Sequence, residues 1–456
     1  MLFGRIGATL LRYTDEFRCG KSDGSELPLK DFAHAMKLQP SISFQHQYLL
    51  WIFIVAFVAR FAFRWHLGEA EFWTSGYTFF FDLAQNIANG NGIARGDGTA
   101  TAFRVPLYPT FLAVVTGGHQ KFLLLLLSQS FIGAATVLTA ALIARQMYGE
   151  VAATIAGFLA AIYPYYVVHD TALQETSLYT FLTALSVLLL MRVRRNYSLP
   201  MATCAGLTLG AVILTRANLA PFAAVAPLWL LVPPQSSVVP LRRRLVLCLL
   251  CASALILTVS PWLLRSYWLT GSPILSSESG FFLWLGNNPH TFSHYPKESI
   301  DFSQRVAIKA LSPGEKTEIE ALGTNEAVLD RWYLKRGANY IFENPLRFLV
   351  NGVRKIGAAF CWLPSPRKGF WPDLIYFLSY TPIMILGLCG TWVGRRRWRE
   401  HLIFYALFVS FVAVTAIFFG HTSYRSYLDL YWIIFAAGLL EQWRNKYCQI
   451  KTNTPM

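Results

Sequence analysis

The sequence predicts an all-α polytopic membrane protein of about ten transmembrane helices, with juxtamembrane helices and a small extracytoplasmic segment on its outer face. Three observations predict it. Hydrophobic residues make up 54% of the chain and charged residues 14%, where an ordinary soluble domain carries about a quarter charged. Long uncharged apolar runs recur from residue 47 to 443, with little room between them for a soluble domain. The basic residues gather in short clusters beside those runs, at 192–195, 242–244 and 395–399. That placement is the positive-inside pattern, so the net charge of +15 needs no nucleic-acid partner.

A span needs roughly 20 mostly apolar residues. The candidates are 47–65, 122–145, 150–168, 175–193, 245–264, 374–394, 401–420 and 426–442. The stretch 199–233 is long enough for a tight helical hairpin with Arg216 and Asn218 at its tip. Two apolar pieces are ambiguous. Residues 106–118 are short and hold two prolines. In 346–363, Arg347, Asn351, Arg354 and Lys355 share one helical face amid apolar residues, the pattern of a helix lying in the interface. The charge clusters arbitrate. If neither piece crosses, Arg145, the three clusters and the tail with Arg444 and Lys446 all fall on the cytoplasmic side. If both cross, the clusters at 192–195 and 242–244 move outside.

The organisation expected is therefore a cytoplasmic extension, 1–46, without the long apolar core of a cleaved signal peptide. A transmembrane core follows at 47–265, with a first outer loop at 66–121. Next come an extracytoplasmic segment, 266–373, containing the interfacial helix 346–363, then C-terminal spans at 374–443 and a cytoplasmic tail at 444–456. The seven cysteines are scattered, and Cys248 and Cys251 read as small packing residues within one span.

Candidate chemistry collects on the outer side. The first loop carries Glu69, Glu71, Asp82, Asp97, Arg104 and Tyr108 and is too long for a mere connector. Within it, 77–89 reads as a helix stopped by an Asn-Gly-Asn-Gly run. The hairpin 163–175 places His169, Asp170 and Glu175 at the outer ends of two spans, where ionisable groups are costly and point to function or to the headgroup layer. A His-Asp-Glu metal site is one reading of that trio. Arg216, Arg265 and Arg425 lie outside against the positive-inside bias, and Arg354 and Lys355 add to them. Each can be a snorkelling side chain; converging, they suit a phosphate. Carboxylates that take a proton and cations that steady a departing phosphate together suit transfer from a lipid phosphate.

Several stretches, in order, resemble the protein O-mannosyltransferase-like superfamily, polytopic GT-C glycosyltransferases that use polyprenyl-phosphate sugars, among them the lipid A aminoarabinose transferases. They are Leu83-Ala-Gln-Asn-Ile-Ala-Asn-Gly-Asn-Gly92, Phe103-Arg-Val-Pro-Leu-Tyr-Pro-Thr-Phe-Leu-Ala113, Tyr163-Pro with Glu175 downstream, and Thr215-Arg-Ala-Asn218. Further on come Ser260-Pro-Trp-Leu-Leu-Arg-Ser-Tyr267, Leu285-Gly-Asn-Asn-Pro289, Asn344-Pro through Lys355, and Tyr424-Arg-Ser426. The resemblance implies an outer loop bearing a catalytic carboxylate and a lipid-phosphate donor held by outer basic residues. It departs in one place. The family's Asp, about eight residues before the alanine that matches Ala84, is replaced by Ser75-Gly-Tyr77.

The expectation is thus an inner-membrane glycosyltransferase passing a sugar from a polyprenyl-phosphate donor to a lipid, glycan or protein acceptor on the outer face. Glu71 or Asp82 is expected as base, with Asp170 and Glu175 organising acceptor or a divalent metal; no other cofactor is implied. Arg104, Arg216, Arg265, Lys355 and Arg425 are expected at the donor phosphate. Tyr108, His169, Asn218, Asn287, Asn288 and Tyr424 are expected around the substrates. The rival readings are a transporter or flippase for a lipid-linked saccharide, and a non-catalytic assembly subunit.

Overall fold

The computed structural model describes residues 47–233, 239–323 and 325–453. The extension expected at 1–46 lies outside them. The described residues are helical, and their sole β pairing is an isolated bridge between Ala94 and Ala100.

The chain enters on α1 (Gln47–Ser75), interrupted at Gly68, where φ is 87°. Glycine tolerates that left-handed backbone, so the membrane-length part ends there and a short helical arm continues. Two loop helices follow, α2 (Thr78–Ala88) and α3 (Leu107–Thr116). The first sits where 77–89 reads as a helix. The second is the apolar piece that is too short to cross. Then come α4 (Phe122–Tyr148), α5 (Glu150–Ile162), the short α6 (Pro164–His169) and α7 (Thr176–Asn196). The expected hairpin is α8 (Leu199–Thr215) returning through a broken, partly 3-10 path over 217–231, with α9 (Ala220–Val225) inside it. A long helix, α10 (Leu241–Thr270), leads to the segment built from α11 (Ser279–Gly286), α12 (Gln304–Lys309), α13 (Pro313–Ala321), α14 (Glu326–Glu343) and α15 (Pro345–Ala359). Last come α16 (Phe370–Val393), α17 (Trp398–Ile417) and α18 (Ser426–Asn453).

Among the described residues, five helical stretches are long and apolar enough to cross a membrane: Gln47–Ser75, Phe122–Tyr148, Thr176–Asn196, Leu241–Thr270 and Phe370–Ile417. The last contains two expected spans, joined by a 3-10 turn at Gly394–Arg397. Helices at 150–162, 199–215 and 217–231 are apolar but shorter. The tail expected from residue 444 continues α18 as helix to Asn453.

α18 is the axis. Every residue from Arg425 to Leu439 is buried, as befits a helix that is apolar all round. Glycines let its neighbours close in: a Cβ at Gly390 would stand 2.3 Å from the Phe435 carbonyl oxygen. The same device joins α8 to α10, where a Cβ at Gly206 would stand 2.1 Å from the Cys251 carbonyl oxygen. Cys248 and Cys251 are core packing residues there.

α15 starts and ends close to the expected interfacial helix. Asn351 and Lys355 face inward, while Leu346, Leu349, Val350 and Val353 are exposed. Asn351 and Lys355 therefore serve the protein interior while Arg347 and Arg354 stay exposed, so the four polar residues expected on one face divide between inside and outside, and the apolar residues left outward suit lipid.

Candidate functional site

The end of the bundle that carries the first loop and the 266–373 segment holds two kinds of charged side chain. One kind is sealed. Arg60, on α1, is fully buried and donates from Nε to Asp170 Oδ2 at 2.8 Å, with Nη1 on the carbonyls of Ala56 and Ala161. Gly133 makes room for this pair, since a Cβ there would stand 2.5 Å from Arg60 Nε and 2.8 Å from Asp170 Oδ2. Arg64, one turn on, donates to the Val168 carbonyl at 3.0 Å. Arg425 is also fully buried. It pairs with Asp429 at 3.2 Å, donates to the Ala359 carbonyl and the Tyr376 hydroxyl, and lies 3.5 Å over the Tyr380 ring. Lys355 spends three donors on Asn287 Oδ1 and the carbonyls of Ala416 and Ile417, at 3.0 to 3.3 Å. Those carbonyls end α17, where the helix dipole favours a cation. Asn288 is consumed in the same corner by the carbonyls of Trp284 and Leu285. Arg265 is partly exposed rather than sealed, but its Nη1 and Nη2 are engaged by the carbonyls of Thr101 and Ile93, tying α10 to the first loop.

The other kind is half open. Arg104 keeps 31% of its side chain exposed, pairs with Glu278 at 2.6 Å and lies 5.0 to 5.9 Å over the rings of Phe79, Phe103 and Phe282. Arg216 follows the end of α8 in an extended conformation, between the rings of Tyr179 and Tyr424 at 4.6 and 4.9 Å. Its nearest carboxylate is Glu175, 3.9 Å away at the N-terminus of α7. Aromatic faces hold a guanidinium without using its hydrogen-bond fork, so both arginines keep donors to offer. Arg104 and Arg216 both act electrostatically on Tyr77 and on Tyr424, and so does Asp301. Glu175 acts on Tyr77 and on the buried Tyr108, whose hydroxyl accepts from Gln129. One polar surface thus joins the first loop, the α7 entry, the α8 tip and the 266–373 segment.

The carboxylates differ in setting. Glu278 is buried, and burial pushes its carboxyl up to about 7 against the opposing charge of Arg104. Asp301 is exposed, in the 3-10 turn Ile300–Ser303. Glu71 and Asp82 are exposed on α1 and α2, their carboxylates unengaged by any hydrogen bond or ion pair among the described residues. His169 stacks on Tyr165 at 4.1 Å and meets Gln174. Asn218 lies beside Arg216 with a buried, unpartnered Oδ1.

Gly76 shows why an acid is hard to place here. A Cβ on it would stand 2.5 Å from Leu173 Cβ, and the next amide, of Tyr77, donates to the Leu173 carbonyl. The loop is stitched to the outer hairpin at this point.

Glu326 makes a second stitch. It accepts from Arg95, Thr101 Oγ1, the Ala102 amide and Ser277 Oγ, drawing the first loop onto the segment. Burial opposes its charge, yet the bonds from Thr101, Ala102 and Ser277 hold it below the usual carboxylate range.

Among the described residues, no three His, Cys, Asp or Glu side chains lie close enough to hold a metal ion. The trio His169, Asp170 and Glu175 does not form such a donor set. Asp170 is bound to Arg60 inside the bundle, His169 to Gln174, and Glu175 turns toward Arg216. Sequence reasoning missed Arg60, Arg64, Tyr77, Glu278, Asp301, Glu326 and Asp429. For Arg60 and Arg64 a signal existed, since two arginines one turn apart within an apolar run demand a partner. Asp429 too carried a local signal, an acid in an apolar run four residues after Arg425, whereas the others are single residues with nothing local to mark them.

Residues 106–264 match the family described as dolichyl-phosphate-mannose-protein mannosyltransferase. No curated protein matches the sequence. The fold is similar to the archaeal oligosaccharyltransferase AglB from Archaeoglobus fulgidus, solved with an inhibitory peptide and a dolichol-phosphate. The TM-score is 0.53 at 14% identity, over 91% of this chain and 52% of that one. It is similar also to the Archaeoglobus fulgidus oligosaccharyltransferase tethered by a disulfide to an acceptor peptide containing the NVT sequon, at TM-score 0.52 and 14% identity over 89% of this chain and 50% of that one. The Archaeoglobus fulgidus oligosaccharyltransferase in complex with Zn and sulfate gives 0.51 and 13%, over 88% and 49%. The chain spans about half the length of the solved structures it matches. The likeness read from the sequence, to GT-C glycosyltransferases that use polyprenyl-phosphate sugars, is thus borne out by a family match over residues 106–264 and a fold shared over 91% of the chain.

Proposed function

We propose that this chain is an integral membrane glycosyltransferase that moves a sugar from a polyprenyl-phosphate donor to an acceptor. The observation that carries the proposal is the pair of half-open arginines, Arg104 and Arg216, each held on aromatic faces and both acting electrostatically on Tyr77 and Tyr424. Side chains sealed inside the bundle cannot meet a lipid phosphate without breaking their own pairs. Arg104 and Arg216 can, and charge developing on a departing phosphate is what such donors stabilise. The solved relatives, one bound to a dolichol-phosphate and one to an acceptor peptide, support a donor and an acceptor of these classes.

In the reaction proposed, the acceptor oxygen forms a bond to the anomeric carbon on the face opposite the phosphate, with inversion. The bond from that carbon to the phosphate oxygen breaks. The polyprenyl phosphate leaves against Arg104 and Arg216, and the acceptor proton passes to a carboxylate. We assign that carboxylate to Asp301, which is exposed and acts on the same tyrosines as the two arginines. Glu71 and Asp82 on the first loop are the competing bases.

The positive-inside bias supports about ten crossings, both termini cytoplasmic and this surface on the outer face of the plasma (inner) membrane. Nucleotide sugars are cytoplasmic, so an outward-facing transferase suits a lipid-linked donor and a part in modifying cell-envelope glycans.

The test is a reconstituted transfer assay with radiolabelled polyprenyl-phosphate sugars and a membrane extract as acceptor source. Wild type should transfer label, and Asp301→Asn should abolish transfer while remaining folded. Loss in Glu71→Gln or Asp82→Asn, with Asp301→Asn active, would move the base to the first loop. No transfer by wild type with any donor would refute the enzyme reading and favour a transporter or an assembly subunit.

A further inference from the structure

The opposite, arginine-rich end of the bundle contains a shallow cleft that the transfer reaction does not use. Arg194, Tyr197, Leu230, Val232, Arg244 and Leu247 line it. Arg194, in the last turn of α7, is only 9% exposed. It lies 4.3 Å over the Trp229 ring and donates from Nη1 to the Arg399 carbonyl at 2.9 Å. Trp229 donates to that same carbonyl at 2.9 Å, so three helical elements are pinned around the guanidinium. Arg244, at the start of α10, donates from Nη1 to the Leu231 carbonyl. Neighbouring Arg243 donates to the Tyr197 carbonyl at 3.0 Å.

Two donors remain. Arg194 Nη2 and Arg244 Nε are buried and have no hydrogen-bond partner among the described residues. Capping the carbonyl end of α7 would explain an arginine turned to a backbone oxygen, as with Arg243. It does not explain two guanidinium N–H groups left over in one cleft, because a buried unpaired donor is costly. Nor does an ion pair. The acid acting on Arg194 is Glu400, which reaches it through space without a salt bridge.

We propose that this cleft binds a phosphate oxygen, carried by an anionic lipid headgroup or by a free phosphate. Arg194 Nη2 and Arg244 Nε would donate to one anionic oxygen. The Trp229 ring and the apolar side chains of Leu230, Val232 and Leu247 would exclude water around it. Basic clefts between membrane helices recognise anionic headgroups in this way. The cleft holds a water-sized group, not a sugar or a base, so the rest of the ligand stays outside. The inference does not depend on the transfer reaction.

The experiment uses the full chain in detergent. Native mass spectrometry measures retention of phosphatidylglycerol against phosphatidylcholine, and thermal stability is followed while inorganic phosphate is added. Losing one charged donor should weaken phosphate binding about tenfold. Arg194→Gln and Arg244→Gln should each show that loss, and Arg242→Gln, on an exposed neighbour, should not. Arg244→Gln keeps the test valid if Arg194→Gln fails to fold. Variant-sensitive retention of phosphatidylglycerol alone identifies a lipid headgroup as the source. Variant-sensitive stabilisation by inorganic phosphate, with no preference between the lipids, identifies a free phosphate. Wild type indifferent to both probes, or an equal loss in Arg242→Gln, would overturn the site.

Discussion

Arg60 and Arg425 lie at the same end of the bundle as Arg104 and Arg216, and all four have a carboxylate nearby, yet they do opposite things. The first two are fully buried, with a tight carboxylate partner and carbonyls around them. The second two keep 31% and 16% of their side chains exposed and rest on aromatic rings. Proximity to an acid therefore does not separate structural from functional arginines here. The separating feature is whether the guanidinium has donors left to offer.

That contrast can be broken or sharpened by substitution. Arg60→Gln should have the largest effect, because it leaves Asp170 buried and unpaired, a loss of about 3–5 kcal/mol. Its measure is the fraction of monodisperse protein surviving heating in detergent, and survival equal to wild type would contradict the sealed role. Arg104→Gln and Arg216→Gln should instead leave thermal survival within reach of wild type and lower transfer on the order of 10²–10³-fold, as for a lost transition-state donor. If either variant lost folding and activity together, the half-open class would collapse into the sealed one. Gly133→Ala tests the same division from the packing side. Its methyl would push on Arg60 and Asp170 and destabilise by about 1–3 kcal/mol, read as an earlier loss of monodisperse protein.

The smallest expected effect is on pH dependence. Glu278 titrates near 7 in the folded chain, above its ordinary value of 4.5. The folded state then binds more protons between those values, so stability should decline as pH rises from about 4.5 through 7. Glu278→Gln should remove that slope and any inflection near neutrality in transfer rate. An unchanged profile in the variant would show that another group titrates there.

Much of the fold was legible because it follows from apolar length and charge asymmetry. The loop helix near 77–89, the hairpin tip at Arg216 and the inward-facing Lys355 helix sit close to where periodicity places them. The site was legible in part. Arg104, Arg216, Glu175 and Tyr424 share one polar surface. Arg265, Lys355 and Arg425 resemble them in sequence, and only the structure shows their donors already taken. Asp301 and Glu278 were not legible, because each is a lone acid in a segment whose folding is dictated by distant contacts. Nothing local to residue 278 shows that it meets residue 104.

Glu326 has one further consequence. With four donors from two regions converging on a single carboxylate, the first loop and the segment should behave as one rigid collar around the polar surface. An acceptor would then enter through the collar's opening instead of being gripped by its halves closing. Hydrogen exchange at the Ala102 amide should accordingly be slow, and Glu326→Gln should quicken it together with exchange across the neighbouring 276–281 stretch.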